Sequence, residues 1–247
     1  MPKRTVHVAV YNTFSDWEIG AATAHINRTH WQKEPGTWQT KTVGPSTAPI
    51  TTLGGMHVTP EMALADLRPE DSAMLILAGA DTWDTEELKP FARKAREFLA
   101  AGVPVAAICG ATLGLALEGL LDERKHTSNV REFLLYSGYA GADHYVDEAA
   151  VTDGELITAG GTSPFEFARE VLGKLGVYEP HVLAGWYQLY GQSDGAGWEV
   201  LADLIAPLLT AVRALAPGVT LRFLPATREG TAALRDGRVD IEVGVIE

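Results

Sequence analysis

A chain of 247 residues, 46% of them apolar, can bury one good-sized core or a core domain with an appendage. Its formal net charge of −12 favours solubility and argues against an electrostatic footprint for direct nucleic-acid binding, and no stretch approaches the ~20 apolar residues of a membrane span. A single cysteine excludes an internal disulfide, so the fold is unstapled and a reducing cytoplasm suits it. The opening Met1-Pro2-Lys3-Arg4 leads into a strand-like segment rather than a signal peptide.

Taken in chain order, Val6 to Tyr11 predicts a short buried strand closed by Asn12-Thr13, and a helix follows from about Glu18 to Asn27. Trp38 to Val43 alternates like a second strand, and Ile50 to Val58 predicts a hairpin turning at Gly54-Gly55. Ser72 to Leu77 is an apolar run ending at Ala78-Gly79-Ala80. Asp84 to Ala101 then carries Leu88, Phe91, Ala95, Phe98 and Leu99 at helical spacing. Gly102 stops that helix before a further strand, Val103 to Ile108. Cys109-Gly110-Ala111-Thr112 turns sharply into a helix reaching about Glu118. A second hairpin is expected at Ala150 to Ala159 around Asp153-Gly154. Ser163 stands at the N-cap of a helix from Pro164 to Leu175, with Glu166 at the capping-box position.

Strands alternating with helices predict an α/β fold, a mainly parallel sheet with helices on both faces, and ligands in such folds sit beyond the carboxyl ends of strands. Ala80, Cys109 and the loop before Glu18 all fall at such ends. A lone cysteine can be an inert buried hydrophobe. At a strand end that opens a helix, however, the free N–H groups of the helix start favour a thiolate. The placement follows the logic of a nucleophile elbow, with Gly110 leaving room for a substrate.

The segment Ala106 to Asp122 resembles the DJ-1/PfpI superfamily, which is related to class I glutamine amidotransferase domains. Met74 to Ala80, Asp16 to Gly20 and Ala159 to Pro164 are similar to that family's oxyanion strand, acid-bearing segment and last-helix entry, so the resemblance covers about residues 5–190. It implies a flavodoxin-like three-layer sandwich, with Cys109 as nucleophile and Glu18 as the carboxyl bonded to its sulfur. Gly79, Ala80 and Gly110 take the oxyanion positions. A carboxylate beside a thiolate would repel it, so Glu18 is expected to be protonated or to share a proton.

Two departures bear on function. The residue after the nucleophile, often histidine in the family, is Gly110, and the other family histidine aligns with Asn129; His126 and Thr127 are further candidates for the pocket wall. His25, His30, His57, His144 and His181 have no metal-ligand spacing, and no metal or cofactor is expected. The resemblance therefore implies a cysteine-dependent hydrolase, hydratase or glyoxalase-like lyase acting on a small carbonyl, amide or isonitrile-like substrate. A glutamine amidotransferase is disfavoured because Glu166 lacks a preceding histidine. The alternatives are a stress sensor working by oxidation of Cys109, or a non-catalytic effector-binding module of a regulator. Relatives commonly form homodimers, and the Trp186, Tyr187, Leu189, Tyr190 cluster could serve either such a contact or the core.

The glycine-rich stretch Tyr190 to Gly197 is expected to divide residues 1–192 from a tail, 193–247. That tail is expected to form an αβαβ extension over Leu201 to Ile246, too small for a core of its own. Through Ala216 to Pro225 and Ala232 to Ile246, the tail over about residues 201–247 resembles part of a LysR-type effector-binding domain, without its DNA-reading helices.

Overall fold

The computed structural model describes residues 3–202. Seven strands form one sheet: β1 (Arg4–Ala9), β2 (Trp38–Gly44), β5 (Met62–Ala63), β6 (Met74–Leu77), β7 (Val105–Ile108), β8 (Ala150–Asp153) and β9 (Leu156–Ala159). Their order is β5-β2-β1-β6-β7-β9-β8. Every neighbouring pair is parallel except β8–β9. The central strands β6, β7 and β9 are buried along their whole length, as continuous apolar runs in a parallel sheet covered on both faces require.

The helices are α1 (Asp16–Asn27), α2 (Lys89–Ala100), α3 (Gly110–Leu117), α4 (Arg131–Leu135), α5 (Pro164–Leu175), α6 (Pro180–Tyr190) and α7 (Gly197–Ala202). α1 packs on α5 and α5 on α6, while α2 packs on α3. Among the described residues no helix is long and apolar enough to cross a membrane.

Within the described residues the predicted elements are present with shifted ends, and those expected after residue 202 lie outside them. The expected hairpin near Gly54-Gly55 is the antiparallel pair β3 (Ile50–Thr51) and β4 (His57–Val58), with Gly55 at φ +83°. The second hairpin is β8–β9, turning at Gly154 with φ +57°. The helix expected from Asp84 starts only at Lys89, with Pro90 in its first turn. The preceding residues are drawn into turns because Trp83 is buried, its Nε1–H donating to the Ala78 carbonyl at 2.8 Å. The capping box at Ser163 does not form: the Ser163 side chain makes no cap bond, and Glu166 instead accepts from the Tyr187 hydroxyl at 2.8 Å.

Trp186 belongs to the core. It is fully buried and its Nε1–H donates to Nε2 of buried His25 at 3.0 Å, so the His25 proton sits on Nδ1, which donates to the Tyr178 hydroxyl at 2.7 Å. His25 also stacks on Trp31. Of the two roles open to the aromatic cluster, this interior knot gives Trp186 the core.

The compact unit that begins at the amino terminus runs to Leu201. Leu201 is buried, and Gly185 and Gly197 lie too close together to admit a side chain at either. Residues 193–201 thus pack with the first unit, beyond the boundary expected at 192. The LysR-like segments, 216–225 and 232–246, lie outside the described residues.

Candidate active site

The site grows from three strand ends. β7 finishes at Ile108, and the chain then reverses through Cys109 with φ +58° and ψ −125° before α3 begins at Gly110. A non-glycine residue in that region stores strain. It is held there by its neighbours: the Cys109 N–H donates to the Ala159 carbonyl at 3.0 Å, and its carbonyl accepts from the Thr112 N–H at 3.1 Å and the Thr112 hydroxyl at 2.6 Å. Thr112 is itself tied to Ser128 at 2.6 Å. The turn lifts the sulfur out of the sheet into a cavity of about 620 Å³ lined by Trp17, Glu18, Cys109, Asn129, Gly161, Thr162 and Pro164.

Glu18 reaches the sulfur from the first turn of α1 and is fully buried. Its Oε2 accepts the Gly79 N–H at 2.7 Å; Oε1 is buried with no protein nitrogen or oxygen partner. Burial raises the Glu18 carboxyl above the usual carboxylate range. Burial also pushes the Cys109 thiol up to about 11, and the charge of an ionised Glu18 adds to the push, while the amides of Asn129 and Gly110 pull the other way. The helix-start effect expected from the sequence is therefore opposed first by burial and then by the charge of an ionised Glu18. Two such groups in contact titrate as a pair.

Asn129 completes the constellation. Its Oδ1 accepts the Gly161 N–H at 2.8 Å, which turns Nδ2 toward the sulfur at 3.4 Å. An amide in this position can hold a thiolate but cannot exchange a proton. His126 and Thr127 lie off the cavity: His126 is fully buried, bonded through Nδ1 to the Arg124 carbonyl and through Nε2 to the Tyr139 hydroxyl, and the Thr127 hydroxyl donates to the Glu148 carbonyl.

The three residues expected to bind an oxyanion are not equivalent. The Gly79 N–H is committed to Glu18, which takes it out of reach of a substrate oxygen. Ala80 and Gly110 lie side by side: a Cβ on Gly110 would stand 3.3 Å from the Ala80 nitrogen. Trp83 and Tyr11 both donate to the carbonyl of Ala78, which fixes the peptide just before this loop.

Sequence reasoning passed over Trp17, Gly161, Thr162 and Pro164. The signal was available, since Gly160-Gly161 follows β9 at a carboxyl end of the sheet, where ligands bind. A Cβ on Gly161 would sit 2.8 Å from the Cys109 sulfur and 3.2 Å from Glu18 Oε1. Gly161→Ala is accordingly expected to displace the sulfur, slowing Cys109 alkylation at least tenfold, and to cost about 1–3 kcal/mol as overpacking does. Labelling rates and a melting curve on the purified variant would check both; an unchanged rate would mean that the sulfur is free to move.

Against known proteins, the family model described as "DJ-1/PfpI family" matches residues 4–174. The chain belongs to the DJ-1/PfpI family. A protein of Bacillus subtilis (strain 168) named "Uncharacterized protease YoaZ" is 40% identical over 192 residues, 76% of this chain and 91% of that protein. A crystal structure of a thiJ/pfpI family protein from Bacillus anthracis superposes with a TM-score of 0.77 at 38% identity, covering 81% of this chain and 96% of the other. A DJ-1 superfamily protein from Agrobacterium tumefaciens superposes with a TM-score of 0.66 at 28% identity, covering 77% and 99%. The flavodoxin-like arrangement of the DJ-1/PfpI domain is thus shared with solved relatives. Among the described residues no cluster of three or more His, Cys, Asp or Glu side chains could hold a metal ion.

Proposed function

We propose that this DJ-1/PfpI protein is a cysteine-dependent enzyme acting on a small electrophilic substrate, a carbonyl, amide or isonitrile-like compound. The observation that carries the reading is the strained turn that presents the Cys109 sulfur to a cavity beside Glu18, whose buried Oε1 has no other partner. An ionised carboxylate would leave that oxygen buried and unpaired, at a cost of a few kcal/mol. A proton on Oε1, donated toward the sulfur, removes the cost and leaves the charge on a thiolate that also receives the amides of Asn129 and Gly110.

In this reading the Cys109 thiolate forms a bond to the electrophilic carbon. The π pair of a carbonyl moves to its oxygen, which accepts the N–H groups of Ala80 and Gly110 and then the Glu18 proton. Glu18, now ionised, recovers a proton when the adduct collapses or is hydrolysed. Among these substrates the reading favours carbonyl and isonitrile-like compounds over amides, peptides included, because amide cleavage needs a group that protonates a departing amine, and the family's histidine position is Asn129, with both ends of its amide engaged.

A screen of aldehydes, amides and isonitriles with wild type and Cys109→Ala tests this. Turnover found in wild type is expected to fall about a thousandfold or more in Cys109→Ala. Turnover that survives the substitution would overturn the reading. Ready oxidation of Cys109 without turnover of any compound would favour the stress-sensor alternative.

A further inference from the structure

We infer that the outer wall of the Cys109 cavity, formed by Trp17 and Pro164, is a subsite for a flat, uncharged apolar group carried by the substrate; the inference rests on the proposal that Cys109 is a nucleophile and names the substrate class of that same site. Trp17 and Glu18 are consecutive residues of the first turn of α1, so their side chains leave the helix about 100° apart. Glu18 goes fully into the interior, whereas Trp17 remains 53% exposed while lining the cavity that holds the sulfur. An indole half in water beside a reactive group offers a broad apolar surface for a ligand at little conformational cost. Pro164, locked at the start of α5, supplies a second rigid apolar surface.

The polar groups of the cavity select against charge. Among the described residues its lining contains no lysine, arginine or histidine. Its ionisable members, Glu18 and Cys109, share negative charge, which repels an anion. Asn129 is already committed at both ends, to the Gly161 N–H and to the sulfur. A carboxylate or phosphate on the substrate would therefore enter without a counter-charge. The size also decides something: about 620 Å³ is within the range of drug-sized ligand sites and far larger than a two- or three-carbon aldehyde needs. Trp17 and Pro164 are the large apolar side chains of its lining.

The test uses three alkylating probes on the full chain: iodoacetamide, N-benzyl iodoacetamide and iodoacetate, each rate divided by that probe's rate with free N-acetylcysteine. In wild type the benzyl probe is expected to be favoured about tenfold over iodoacetamide, the size of one good aromatic contact, and iodoacetate disfavoured by a similar factor. Trp17→Ala should bring the benzyl preference back to unity. Trp17→Phe, which keeps a flat ring, should retain most of it and guards against a merely unfolded alanine variant. Cys109 that reacts readily but without preference, or a preference that survives Trp17→Ala, would overturn the subsite while leaving the nucleophile standing. Failure of all three probes to label Cys109 would sink both.

Discussion

Alkylation of Cys109 is expected to rise with pH in two steps in the wild type and in one step in Glu18→Gln. Burial raises both Glu18 and Cys109, an ionised Glu18 raises Cys109 further and the bond to Cys109 lowers Glu18, so the pair loses its protons separately. Between the two losses the pair holds one proton. The thiolate fraction there depends on whether that proton sits on oxygen or sulfur. The orphaned Oε1, and the amide donors of Asn129 and Gly110 around the sulfur, place the proton on Glu18 in the reading proposed above. In that reading the first proton lost is the thiol's, which generates reactive thiolate, and the second, the Glu18 proton, comes off at higher pH. In Glu18→Gln the acid is gone and a single thiol titration remains between the two wild-type steps. At pH 7 this variant should alkylate at least about tenfold more slowly, because an ordinary thiol of pKa ~8.5 is only a few per cent ionised there. A single step at an ordinary thiol pH in both proteins would show two independent groups and an unactivated cysteine.

The second large effect concerns stability. Burial lowers the His25 imidazole to about 4, and Arg28 nearby adds to the lowering. A group whose folded pKa is depressed binds fewer protons in the native state than in the unfolded chain. The unfolded chain therefore gains a proton first as pH falls through 6.5, and native stability drops until the folded pKa near 4 is reached. The loss over that window is about 3 kcal/mol from this residue, which for a domain of this size is roughly 6–12 °C in Tm. His7 and His126 are lowered too, in the same direction, so the comparison that isolates His25 is with a variant. His25→Phe should flatten the wild-type slope between pH 6.5 and 4. At neutral pH it should cost about 1–3 kcal/mol, because Trp186 Nε1–H and the Tyr178 hydroxyl lose their partner inside the core. Parallel pH–Tm curves for the two proteins would show instead that His25 is protonated without strain.

These two predictions differ in how far they could be read from the sequence. Cys109 and Glu18 lie 91 positions apart, yet each announces itself locally, one at the end of a buried strand and the other in the first turn of a helix. His25 has no local signature. Its neighbours Tyr178 and Trp186 are more than 150 residues away, and only the packing of α1 against α5 and of α5 against α6 unites them. The same holds for the pocket wall. Asn129 could be named from its place in the chain, but not that its carbonyl oxygen would be held by Gly161 and its nitrogen turned to the sulfur. His126, three residues earlier and chemically the more obvious candidate, is bonded to Tyr139 and Arg124 and turned away.

Period, apolar runs and turn residues by themselves determined the parallel α/β sheet, the strand-end position of Cys109 and the two hairpins, because these depend on short-range patterns of burial and backbone freedom. Tertiary structure alone decided which N–H groups remain for a substrate, which histidines are interior, and that Trp17 stands at the mouth of the site. It also decided the direction of the Cys109 and Glu18 titrations: proximity and desolvation set a buried pair's proton affinity, and both are properties of groups brought together by the fold.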